Sequence, residues 1–168
     1  MAHKSKIAIV LSLIIVVIIT MICLLPHRTS RDLSFYGMEI TSIGSCVQEC
    51  EIRFSSTLHN YLGNKRDGYK ELKLTLPDNI FELRENDDVY SYNLPDAPVE
   101  VIILPVYMES AQGNSRYSLV NIFLDTKEQW SIVYYVAPDG QAHYYVGSAD
   151  ENSDLGSIWN KWKYLCNV

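Results

Sequence analysis

The sequence predicts an α+β protein: an N-terminal transmembrane helix followed by a mainly antiparallel β-sheet domain with a C-terminal amphipathic helix. Three observations predict it. An uncharged apolar run covers residues 7–25. Four strand-like runs between 99 and 147 are joined by short, turn-forming connections. The closing stretch, SDLGSIWNKWKYLC, carries its apolar residues at helical spacing.

The first element is the apolar run. From Ile7 to Leu25 only Ser12 and Thr20 are polar. At about 1.5 Å per residue a helix of this length covers roughly the 30 Å of a bilayer core. A secretory signal peptide has a shorter apolar region, about 7–15 residues, and small residues at its cleavage site. Here Pro26, His27 and Arg28 follow, and Cys23 follows Met21 and Ile22 rather than the small residue a lipoprotein needs. The expected organisation is a tail at 1–6, an uncleaved signal anchor at 7–25, a linker at 26–35 and one extracytoplasmic domain at 36–168. The alternative is a cleaved signal that leaves a secreted soluble domain. Lys4 and Lys6 nearly balance Arg28 and Arg31 across the run, but a short tail stays inside and long domains translocate regardless of charge. The expected location is the bacterial inner membrane, single-pass, with the N-terminus in the cytoplasm and the domain in the periplasm.

The second element holds two of the three domain cysteines. GSCVQECEIRF reads as the tip of a hairpin spanning about 37–55, with Cys50, Ile52 and Phe54 on one face and Glu49, Glu51 and Arg53 on the other. A three-residue loop, Val47-Gln48-Glu49, would set Cys46 opposite Cys50, at the Cα spacing a disulfide accepts. In one continuous strand the same pair would stand about 13 Å apart and could not bond. The rival pairings join Cys46 or Cys50 to Cys166, closing a longer loop. Cys46, Cys50 and Cys166 are the disulfide candidates, and any such bond implies an oxidising compartment. Three buried free thiols are the plainer alternative.

Beyond the hairpin, HNYLGNKRDGYK reads as a loop with one helical turn, and KELKLTL alternates as a strand into the turn Pro77-Asp78-Asn79. Residues 80–97 are mixed. VEVIILPVYM, RYSLVNIFLD, QWSIVYYVA and QAHYYVG then form a meander. Pro105 marks its strand as an edge or as bulged. RYSLVNIFLD is apolar on both faces, which predicts a central strand covered on both sides. Leu155, Ile158, Trp159, Trp162 and Leu165 form one helix face, with Ser153 or Asp154 as cap and acids before it.

Charge narrows the function. Residues 29–168 keep 11 Lys+Arg against all 20 Asp+Glu, a net charge of −9. Nucleic acid needs clustered Lys and Arg, so it is a poor partner; a basic protein suits better. Twelve tyrosines suit interfaces as well as strands. The candidate binding surface is Trp159, Trp162, Tyr134, Tyr135, Tyr144 and Tyr145, although the tryptophans read more simply as core. Catalytic motifs are missing from the sequence: no G-x-S-x-G, phosphate-binding Gly loop or H-E-x-x-H occurs. DENSDLG starts like a calcium loop, but Leu155 stands where the turn needs Gly and Lys161 where it needs Glu. The reading is therefore a membrane-anchored protein whose acidic domain binds another protein, as an inhibitor or immunity-type protein or an accessory subunit of an envelope complex. It carries no catalytic residue, cofactor or metal. The alternatives are a small-ligand-binding module and a thiol- or carboxylate-based enzyme.

Overall fold

A computed structural model describes residues 2–24, 27–60, 66–83, 88–109 and 115–167. It is mostly antiparallel sheet with little helix, an α+β-like fold. Helix α1 covers Ala2–Leu24, and nine strands follow: β1 His27–Ile40, β2 Cys46–Asn60, β3 Arg66–Thr75, β4 Ile80–Glu82, β5 Tyr90–Asn93, β6 Val99–Glu109, β7 Ser115–Asp125, β8 Trp130–Val136 and β9 Ala142–Ser148. Helix α2, Leu155–Trp162, runs into a 3₁₀ turn at Lys163–Cys166.

The strands form one antiparallel sheet in the order β4-β3-β2-β1-β9-β8-β7-β6-β5. The chain walks outward through β1–β4, crosses to the far edge, and returns through β5–β9 to meet β1. Chain length forces this sheet to curl. Nine flat strands at about 4.8 Å spacing would put β4 and β5 about 38 Å apart. The eight peptide steps from Glu82 to Tyr90 reach at most about 29 Å. The inner face accordingly closes on itself. Phe35, Ile52, Phe54 and Leu74 of one half pack with Ile102, Leu104, Ile122 and Tyr135 of the other. Glu100 of β6 accepts hydrogen bonds from Arg31 of β1 at 2.7 Å and Tyr69 of β3 at 2.9 Å, and Asn79 donates to the Tyr135 hydroxyl at 2.9 Å. β1 and β9 pair only over Tyr36–Ile40, so the two halves diverge away from that seam.

The outer face is covered in part. Asp154 caps α2 by accepting from the Ser157 amide at 3.1 Å. The helix then lays Trp159 and Trp162 on Ile40, Val99, Val101, Phe123, Ile132 and Val146, a second core.

Three expectations change. Residues 27–35 are strand, not linker, because Leu33 and Phe35 alternate into the inner core while β1 pairs with β2 from His27 onward. The first hairpin turns at 41–45, where Gly44 adopts φ +88°, and not at 47–49. β2 runs unbroken through both cysteines: Cys46 pairs with Ile40 and Cys50 with Gly37. A bulge at Val47 puts the two on opposite faces, so they are not cross-strand partners. Cys46, Cys50 and Cys166 are free thiols. The expected transmembrane helix at 7–25 is a separate matter and is unsupported: no helix among the described residues is long and apolar enough to cross a membrane. On α1 the described side chains are those of Val10–Ile22, about 20 Å of helix, all exposed.

Other expectations stand. The turn at 77–79, the β6–β9 meander and the C-terminal helix with its Asp154 cap are present. Pro105 lies beyond the last β5 pair, Tyr90 with Ile103, where that side of β6 has no strand neighbour among the described residues. The expected loop at 59–70 is a further difference: residues 61–65 lie outside the described residues, whereas 59–60 end β2 and 66–70 begin β3, paired to each other.

Candidate functional site

The predicted binding residues do not share a surface. Tyr135 and Tyr145 point into the inner core, whereas Tyr144, Trp159 and Trp162 lie in the outer one. All five are buried; Tyr134 is half-buried and stacks on Tyr144. The tryptophans are core.

On the inner face, Glu39 accepts from Gln48 Nε2 at 2.9 Å and meets His143 Nδ1 at 2.8 Å. The His143 ring stacks on Tyr135, with centroids 5.0 Å apart. Burial raises the Tyr135 and Tyr145 hydroxyls above their ordinary range. Burial and then the Glu39 charge push the Cys50 thiol up to about 11, and burial alone pushes Cys166 up to about 12. Both thiols are protonated at neutral pH, the form that makes a poor nucleophile. This group ties β1, β2, β8 and β9 together.

Two cavities lie elsewhere. One, about 440 Å³ on the outer face of β1–β3, is lined by paired charges: Arg28 with Glu71 at 3.2 Å and, nearby, Lys73 with Glu82 at 2.5 Å. The other, about 460 Å³, lies between the start of α2 and the β1–β2 hairpin. Tyr36, Met38, Cys46 and Leu155 give it apolar walls, and Glu49 and Glu151 stand at its edge. Tyr36, Cys46 and both carboxylates are exposed. No ion pair to Glu49 or Glu151 occurs among the described residues.

Comparison with known proteins gives no match. Neither a family model, nor a curated protein, nor a solved structure matches this chain.

The groove combines an apolar wall, an accessible aromatic ring and two carboxylates that have no ion pair among the described residues. Such a surface accepts a Lys or Arg side chain with its apolar stem, because the stem covers the wall while the head meets the acids and the ring face. Sequence reasoning treated Cys46 and Glu49 only as parts of a hairpin tip. Tyr36 falls just past the expected linker, and Met38 at the start of the expected hairpin. Only the fold brings Glu151, about a hundred residues away, to the same groove. Among the described residues no group of His, Cys, Asp and Glu is arranged to hold a metal ion. The two aspartates of 150–154 are engaged locally: Asp150 accepts from the Asn152 amide at 3.0 Å, and Asp154 caps the helix.

Proposed function

We propose that this chain is a single-pass membrane-anchored protein whose acidic domain, outside the cytoplasm, binds a basic segment of another protein. It acts as an inhibitor or immunity-type protein, or as an accessory subunit of an envelope complex, without catalysis. The observation that carries the reading is the groove edged by Glu49 and Glu151, two carboxylates without ion-pair partners among the described residues, in a domain already at −9. An acidic field steers a basic partner and fixes its register. The anchor rests on α1, which is apolar on every side. An exposed helix of that kind needs an apolar surrounding. The Thr20 hydroxyl, one of its few polar groups, donates to the Val16 carbonyl at 2.7 Å and so leaves no bare donor.

A second reading rests on the groove's size. A cavity of about 460 Å³ also falls within the range of small-ligand sites, about 300–1,000 Å³. One experiment separates the two. The full chain, tagged at its C-terminus, is extracted in mild detergent and its captured proteins are compared with those of the Glu49→Gln/Glu151→Gln variant. A partner retained at low salt, released as salt rises and missing from the variant supports the proposal. A partner held equally by the variant, or no specific partner at all, sinks it. In the latter case a metabolite that changes Tyr36-sensitive fluorescence would favour the ligand module.

A further inference from the structure

The outer face carries a second feature, on the side of the sheet that α2 leaves bare. The β5–β6–β7 register sets Tyr90 beside Ile103, Tyr92 beside Val101, Pro105 beside Leu119 and Tyr107 beside Tyr117. All stand on the face that carries Val101 and Phe123 beneath α2, so the row continues the outer core past the helix edge. There it is open: Tyr90 is 63 % exposed, Tyr92 49 %, Tyr107 46 %, Tyr117 73 % and Leu119 55 %. The Tyr107 and Tyr117 rings meet edge to face at 5.3 Å, which holds them in place before anything binds. None of these described residues of the row is charged; Asp88, two residues before Tyr90, and Glu109, at the hairpin end, stand beyond its ends.

We propose that this tyrosine row is the self-association surface of the chain, joining two copies about a two-fold axis. Its chemistry is that of an interface centre: aromatic and depleted of charge. Area agrees. At about 200 Å² for a fully exposed Tyr, the row offers roughly 500 Å². Two copies then bury about 1,000 Å², where specific interfaces begin. A charge-free row gives a basic partner nothing to recognise, whereas a second copy meets it with the same rings. The proposal does not depend on the acidic groove, which lies on the other side of α2.

The sign of the salt effect tests it. Two domains at −9 repel each other, and salt screens that repulsion. Dimerisation should therefore tighten as salt rises, whereas docking of a basic protein should weaken. The measurement is sedimentation equilibrium of the full chain in density-matched detergent, from 0.05 M to 0.5 M sodium chloride. The expected result is a dimer whose Kd falls severalfold across that range and rises at least tenfold in Tyr117→Glu. Leu119→Gln should loosen it too, and serves if Tyr117→Glu fails to fold. Tyr164→Ser, an exposed tyrosine elsewhere, should change nothing. The proposal is overturned by a monomer at every salt concentration up to about 0.1 mM protein. It is equally overturned by a dimer that weakens with salt, or by one that folded Tyr117→Glu and Leu119→Gln leave intact.

Discussion

Gly44 lies against the indole of Trp159: a β-carbon built on Gly44 would stand 3.0 Å from Trp159 Cδ1 and 3.2 Å from Nε1. The glycine closes the β1–β2 turn at φ +88°, and the tryptophan is the largest fully buried side chain, so the turn and the helix are locked to each other. Gly44→Ala meets two penalties. Positive φ costs a non-glycine residue about 1–2 kcal/mol, and the new methyl must displace the indole. The expected loss is about 1–3 kcal/mol, read as a lower urea midpoint at unchanged m-value. In a Trp159→Ala background, which lacks both touching atoms, the same change should cost only the backbone part. An equal cost in both backgrounds would show that the contact carries no energy.

Trp159 invites a second substitution. Its Nε1 is buried without a hydrogen-bond partner among the described residues. A buried unpaired donor carries a desolvation cost of about 1–3 kcal/mol, so Phe removes a burden along with some packing. Trp159→Phe should cost under about 1.5 kcal/mol, against about 3–5 kcal/mol for Trp159→Ala. If Phe proves as damaging as Ala, the indole nitrogen has a partner in solution.

The Arg31–Glu100 pair makes the strongest electrostatic claim on the fold. Glu100 is 5 % exposed on the inner face, and it is held by Arg31 at 2.7 Å and by Tyr69. Arg31 also reaches Glu128 at 3.3 Å. Burial works against the Arg31 charge, but the Glu100 hydrogen bond and charge outweigh it and hold its pKa above the ordinary value. Arg31→Met leaves the buried Glu100 carboxylate without its Arg31 counter-charge, with an expected cost of about 3–5 kcal/mol. Arg31→Met/Glu100→Gln removes both charges and should recover much of that. Chemical denaturation of the two variants gives the comparison, and a double variant no better than the single one would refute the pairing.

Much of this architecture could be read from residue patterns, and the failures have physical causes. The meander and α2 were legible because Leu155, Ile158, Trp159 and Trp162 keep helical spacing and because short turns leave antiparallel pairing as the simple solution. β1 was hidden because Arg28, Ser30, Asp32 and Ser34 present a polar outer face, which reads as linker until the partner strand is known. The hairpin turn was misplaced because a bulge at Val47 breaks the alternation that set the register; Gly44, beside Ser42 and Ser45, was the signal to weigh. β7 was expected to be covered on both sides, yet Tyr117 and Leu119 face outward beyond the reach of an eight-residue helix. The alternation of Tyr90 with Tyr92, and of Tyr117 with Leu119, held the clue. Hydrophobic pattern alone does not distinguish a face that another element covers from one left open.

Alkaline pH should unfold the domain through Cys166. Its thiol is 4 % exposed in the outer core, and burial pushes it up to about 12 from an ordinary value near 9. The folded state therefore keeps this proton while the unfolded chain loses it, so the stabilisation is complete below about pH 9 and disappears as pH rises through 12. Where only the unfolded thiol is ionised, stability falls by about 1.4 kcal/mol per pH unit for one such group. The raised tyrosine hydroxyls of Tyr135, Tyr144 and Tyr145 act in the same direction at higher pH. Urea midpoints measured from pH 8 to 10.5 should slope downward in the wild type and less steeply in Cys166→Ala, whatever that variant's stability at pH 7. Equal slopes would mean that Cys166 already meets solvent in the folded protein, and the packing of the 3₁₀ turn against the outer core would be wrong.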